Sequence, residues 1–163
     1  MSTLGKDNVD DGDFGKTSEY ITVFINKQLF GIPVLNVQDV FMPQKVTRVP
    51  SSQPEVGGVL NLRGRIVTII DMRERLGIAA REENENSQTM AVGVEFRGES
   101  YGLVIDAVGE VLRLKDSSLE RNPANLDPRW RGVSSGVQRL EDALMVILDV
   151  PRVLDFTKKA SAA

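Results

Sequence analysis

The sequence predicts an all-β fold with a few short helices, built as two small barrels that share an apolar interface. Three observations carry this. Ile21, Val23 and Ile25 alternate with Thr22, Phe24 and Asn26, the period-two pattern of a half-buried strand. Ile66-Val67-Thr68-Ile69-Ile70 is a β-branched run without alternation, which suits a strand buried on both faces. The second half then repeats the first. Val92, Val94 and Phe96 fall on Ile21, Val23 and Ile25, and Tyr101-Gly102-Leu103 falls on Phe30-Gly31-Ile32, at a common offset of 71 residues. Leu144 to Asp149 falls on Ile66 to Asp71 at an offset of 78. A repeated unit of about 60 residues with some five strands reads as a small barrel closed by a helix. Units that small sit near the lower limit of independent stability, so the two are expected to share a core.

In chain order, residues 1–18 are rich in Gly, Asp, Ser and Lys and read as a disordered tail, or else as a docking peptide centred on Phe14. The ordered domain is expected over 19–157. Its first strand starts at Tyr20, Asn26-Lys27 makes a hairpin turn, and Gln28 to Ile32 returns, with Pro33 demanding a bulge or an edge. Val34 to Met42 continues extended, Pro43-Gln44-Lys45 turns into Val46 to Val49, and Pro50 to Pro54 is a loop or a single helical turn. Gly57-Gly58 opens the next strand and Arg63-Gly64 is a tight turn ahead of the β-branched run. Asp71 caps a short helix that ends at Gly77. Arg81 to Gln88 is polar without periodicity and reads as the linker between subdomains of about 20–80 and 89–156. A flexible tail is expected over 158–163.

The chain has neither histidine nor cysteine, so the common zinc sites, Ser-His-Asp triads and thiol chemistry cannot be built. Asp71 and Asp149 occupy equivalent strand ends, where capping explains both, and Asp106 reads as a turn residue. Nothing pairs two carboxylates in a cleft, so no enzyme is expected. Gly57-Gly58 has the spacing of neither a dinucleotide fingerprint nor a phosphate loop, and no cofactor is expected. A net charge of −3 and a pI near 5.1 give no electrostatic pull toward nucleic acid or an anionic membrane. With no secretory signal and no apolar run of bilayer length, the expectation is a cytoplasmic protein that does not insert into a membrane.

That leaves binding residues. Gly132-Val133 aligns with Gly58-Val59, which gives the second copy four extra residues and no counterpart to Asn61-Leu62-Arg63-Gly64. A feature needed only to close a barrel should occur twice. Arg63 is therefore expected to line a partner groove, held by Asp39, although a solvated turn with a screened ion pair is the plainer alternative. Phe41-Met42-Pro43 places adjacent bulky side chains on opposite faces, either buried between barrels or left as an adhesive patch. Trp130 reads as a lid on the second barrel rather than an interface anchor.

These residues carry a family resemblance. Leu29-Phe30-Gly31-Ile32-Pro33-Val34, Val37-Gln38-Asp39-Val40, Val46-Thr47-Arg48-Val49-Pro50 and above all Gly58-Val59-Leu60-Asn61-Leu62-Arg63-Gly64-Arg65-Ile66-Val67 resemble the chemotaxis coupling protein CheW family, as do Tyr101 to Val108 and Leu112-Arg113-Leu114. The likeness spans about 20–156; Met72 after Asp71 and the acidic amino-terminal tail depart from it. The resemblance implies two intertwined five-stranded barrels like Src-homology-3 domains, and a non-catalytic adaptor that couples the cytoplasmic tip of chemoreceptors to the regulatory domain of the histidine kinase CheA. It implies recruitment to membrane-associated receptor arrays. It places receptor binding in a groove at Val37, Asp39, Gly58, Asn61 and Arg63, and kinase binding at Phe41, Met42 and Val46. The alternative from another class is a small-barrel nucleic-acid-binding protein, against which the absence of basic stripes and stacking aromatics speaks.

Overall fold

A computed structural model describes residues 15–50, 53–80 and 89–162, with side chains to Phe156. The tail around Phe14 and the expected linker at 81–88 lie outside the described residues. Among the described residues ten strands form two five-stranded sheets. β1 (Thr17–Ile25), β2 (Gln28–Pro33), β8 (Ala107–Lys115), β9 (Ser134–Arg139) and β10 (Leu144–Leu148) make sheet I, in the order β8-β1-β2-β10-β9. β3 (Val37–Phe41), β4 (Val56–Leu62), β5 (Arg65–Asp71), β6 (Met90–Phe96) and β7 (Glu99–Ile105) make sheet II, in the order β3-β6-β7-β5-β4. Among the described residues three helices accompany them: α1 (Met72–Arg75), α2 (Pro128–Arg131) and α3 (Val150–Ala162).

The two strand orders are one order written twice. Replacing β1 and β2 by β6 and β7, and β8, β9 and β10 by β3, β4 and β5, turns sheet I into sheet II. The leading hairpin of each sequence half is thus inserted into the sheet of the other half. The sheets do not follow the division at 80/89, because each draws strands from both sides of it. Register confirms the equivalence: Val146 pairs with Phe30 as Thr68 pairs with Tyr101, which preserves both offsets. The sheets are drawn round by matching isolated bridges, Thr47 to Val59 in one and Glu120 to Val137 in the other.

Those bridges correct the alignment of the halves. Gly136-Val137, not Gly132-Val133, stands on Gly58-Val59, at the same offset of 78 that relates Asp71 to Asp149. No residues are inserted between these points. The Arg63-Gly64 turn therefore has a counterpart of equal length, Glu141-Asp142, where the Leu140 N–H donates to the Ala143 carbonyl at 2.8 Å. The extra length lies upstream, in the connection from Glu120 to Gly136 that carries α2. Gly132-Val133 and Gly136-Val137 are the same dipeptide, and only the second keeps the offset of 78 found at Asp149.

The core has three parts. A large common cluster joins Ile21, Val23, Ile25, Phe30 and Ile32 of sheet I to Val92, Val94, Tyr101, Leu103 and Ile105 of sheet II, with Met72 of α1, Leu76 that caps it, and Val153 and Leu154 of α3. Each barrel also has a small interior of its own: Tyr20, Met145 and Ile147 in one, Leu60, Val67 and Ile69 in the other. β5 therefore faces its barrel through Val67 and Ile69 and the common core through Ile70, which is why it lacks alternation. Ile66, at the start of the run, departs from the expected burial and is 60% exposed.

Smaller departures follow from pairing. β1 begins at Thr17, ahead of Tyr20, because Thr17 and Ser18 find partners in Lys115 and Leu114. A short 3-10 turn at Val34–Asn36 interrupts the expected extended run as the chain passes from sheet I to sheet II. α3 runs to Ala162, through the stretch expected as a tail. Asp71 caps α1 as expected, Oδ1 accepting from the Arg73 and Glu74 N–H groups. Trp130 serves as a lid: its ring meets Phe30 edge-on at 5.2 Å and its indole N–H donates to the Leu76 carbonyl at 3.0 Å.

Candidate functional site

The hairpin of β4 and β5 turns in two residues, Arg63 and Gly64, at φ of 55° and 84°. Both values are positive, as the type I′ turn favoured by twisted hairpins requires. Gly64 takes its angle freely; Arg63 does so at a cost of roughly 1 kcal/mol. The Asn61 side chain offsets part of that, its Oδ1 accepting the Gly64 N–H at 2.8 Å. The same geometry recurs at Arg97 and Gly98 between β6 and β7, so a positive φ here marks a hairpin and not, by itself, a functional residue.

The turn holds the Arg63 side chain out: 79% of it is exposed, with Nη1 3.9 Å from Asp39 Oδ2. Asp39 lies on β3, the opposite edge of sheet II, so the ion pair spans the seam where the sheet curls round. Arg65 takes the same carboxylate oxygen at 3.4 Å and is the better shielded of the two arginines, 42% exposed. An ion pair as open as that of Arg63 contributes about 0–1 kcal/mol, so Arg63 is not there to stabilise the fold.

The five residues assigned to a groove do not form one surface. Asp39, Asn61 and Arg63 gather at the hairpin end of sheet II. Gly58 is buried toward the far end of β4, against the Thr47 backbone and Val46 Cγ1, and Val37 is half-buried and packs against the common core. The second trio separates as well. Met42 and Val46 are exposed, but the Phe41 ring joins the interior cluster of its own barrel, lying over Gly102. Phe41 thus supports the surface from beneath.

Two neighbours have no binding role in the sequence reading: Arg65, which flanks Gly64, and Ile66, in the β-branched run. Arg65, Val67 and Ile69 share one face of β5 by simple alternation, so Arg65 had to point toward the mouth of the barrel beside Asp39. Ile66, next to it, presents an apolar side chain to solvent, a fact that depends on what fails to cover it. Asp106 and Asp149, given structural roles by the sequence, are engaged structurally. Asp106 receives the Arg73 guanidinium at 2.6 and 3.2 Å and the Asn26 N–H at 2.7 Å, and Asp149 Oδ1 accepts the Arg152 N–H. No helix among the described residues is long and apolar enough to cross a membrane.

A model of the CheW-like domain matches residues 19–158. The chain belongs to the CheW-like family. It is similar to the chemotaxis protein CheW of Bacillus subtilis, 30% identical over 148 residues that cover 90% of this chain and 94% of that protein. The Thermotoga maritima chemotaxis protein CheW is 28% identical over 140 residues, covering 86% and 89%. Among solved structures, the scaffolding protein TtCheW from Thermoanaerobacter tengcongensis superposes with a TM-score of 0.71 at 26% identity, over 82% of this chain and 89% of that one. The exchanged hairpins and paired sheets are therefore those of a CheW-like fold, and this CheW-like chain is a chemotaxis adaptor. The nucleic-acid alternative finds no support among these relatives.

Proposed function

We propose that this CheW-like protein joins the cytoplasmic tip of chemoreceptors to the regulatory domain of the histidine kinase CheA, performs no chemistry itself, and is recruited through these partners to receptor arrays at the membrane. The observation that carries the receptor half is Arg63: a guanidinium held out on a two-residue turn, beside a carboxylate that orients it, with little role in stability. A planar fork so placed can take a bidentate acceptor on a partner helix. The kinase half rests on Met42 and Val46, two exposed apolar side chains flanking the turn after β3. Methionine in particular adapts to a partner surface.

Arg63→Ala should weaken binding to a purified chemoreceptor tip fragment more than binding to the CheA regulatory domain. Equal loss toward both, or unfolding of the variant, would count against a receptor contact. Replacing Met42 and Val46 together by Ser should do the reverse, and unchanged kinase affinity would refute that surface. Phe41 is unsuited to this test, since its ring is part of the barrel interior.

A further inference from the structure

The Asp39 carboxylate is seated, not merely paired. Its cross-strand neighbour, just past the bulge between Val37 and Asp39, is Gly93 of β6. A Cβ on Gly93 would overlap Asp39 Oδ1. That oxygen is shut off from solvent, while Oδ2 faces both arginines. The duplication supplies an internal comparison. At the offset of 71, Gly93 corresponds to Thr22 and Asp39 to Glu110. Thr22 is buried and its hydroxyl donates to the Glu110 backbone carbonyl at 2.7 Å, while Glu110 itself is exposed. With a side chain on the inner strand the acidic residue opposite stands in solvent. With none, it lies down across the strand.

Arg65 completes the seat. Its Nη2 is closer to Asp39 Oδ2 than is Nη1 of Arg63, and it reaches the carboxylate from β5 and not from the tip of the turn. We propose that Gly93 and Arg65 are the positioning residues of this site: Gly93 gives the Asp39 carboxylate room to lie across β6, and Arg65 clamps it there. The acid is thereby held as a fixed counter-charge beneath Arg63, whose guanidinium stays exposed for the partner. Since the partner is the chemoreceptor tip, the inference rests on the reading of Arg63 given above.

The test is a double-mutant cycle on the full chain, read by affinity for a chemoreceptor tip fragment and, separately, for the CheA regulatory domain. Gly93→Ala should weaken receptor binding about twofold to fivefold, the range exposed ion pairs span, and as much as Asp39→Ala does. In the Asp39→Ala background, Gly93→Ala should cost nothing further, and CheA affinity should hold throughout. Arg65→Gln should behave in the same way, and it carries the cycle alone if Gly93→Ala does not fold. Multiplying effects in the double variant, or full receptor affinity in Gly93→Ala when Asp39→Ala is weakened, would overturn the proposal. The Asp39 carboxyl carbon resonance gives a readout independent of binding. If Arg63→Ala and Asp39→Ala both leave receptor affinity intact, the receptor reading falls, and this resonance decides the seat. Movement in Gly93→Ala or Arg65→Gln upholds it; an unmoved signal in both overturns it.

Discussion

Gly58 belongs to the seam of sheet II, and replacing it should unfold a barrel rather than blunt a contact. Its φ is 142°, an angle L side chains rarely adopt. An added Cβ would overlap the Thr47 carbonyl oxygen and stand 2.9 Å from Val46 Cγ1. The Thr47 and Val59 backbones exchange hydrogen bonds of 2.7 and 2.9 Å here, and the methyl group would force them apart. Two such bonds contribute about 1 kcal/mol each, and the backbone strain adds roughly 1–3 kcal/mol, so Gly58→Ala should lose about 3–5 kcal/mol. For a domain of this size that lowers Tm by roughly 10 °C. Gly136 is the built-in control: φ 148°, a Cβ 2.6 Å from the Glu120 carbonyl oxygen, and bonds of 2.8 and 2.9 Å between Glu120 and Val137. Urea unfolding of Gly58→Ala and Gly136→Ala should give matching losses, and the folded fraction of Gly58→Ala should still bind a receptor fragment. A Gly58→Ala variant as stable as the parent, but deficient in receptor binding, would refute the reasoning and return Gly58 to the groove.

Other expectations follow from the same geometry. Arg73→Gln removes a two-bond pair whose members are only 12% and 19% exposed, and should cost about 1.5–3 kcal/mol with little dependence on salt, as measured by urea unfolding at low and high ionic strength. Trp130→Phe keeps an aromatic ring against Phe30 but loses the bond to the Leu76 carbonyl, so a loss of about 1 kcal/mol is expected in thermal unfolding. Ile66→Lys should leave stability unchanged to within about 0.5 kcal/mol, and a larger loss would show that Ile66 is covered.

Much of the fold was legible because it is written in local pattern. Alternation in Ile21 to Ile25, the turn at Asn26-Lys27, the cap at Asp71 and the 71-residue offset all lie within reach of period and turn chemistry. What failed depended on pairing across the molecule. Gly132-Val133 and Gly136-Val137 both repeat Gly58-Val59, and the bridge from Glu120 to Val137 gives that place to Gly136. The consequence for the site is specific. Alignment on Gly132 gives the Arg63 turn no counterpart; the turn exists twice, and what differs is its chemistry, Arg63-Gly64 against Glu141-Asp142. Asp39 and Arg63 were correctly brought together. Gly93 gave no signal, since a glycine in a strand shows its purpose only when the atom above it is known.

The exchange of hairpins bears on why such a small unit can serve as an adaptor. Were each half to fold on itself, the halves would be two marginal barrels joined by a linker, free to reorient, and a partner binding both would first have to order them. Here β6 and β7 lie between β3 and β5 in sheet II, while β1 and β2 lie between β8 and β10 in sheet I. Neither sheet is complete without strands from both halves, and the largest cluster of buried side chains belongs to both sheets together. Reorienting one barrel against the other would expose that cluster, at a cost of roughly 1.5–3 kcal/mol for each large apolar side chain uncovered. Arg63, Asp39, Met42 and Val46 are therefore presented in fixed relation, on a support that is ordered before any partner arrives.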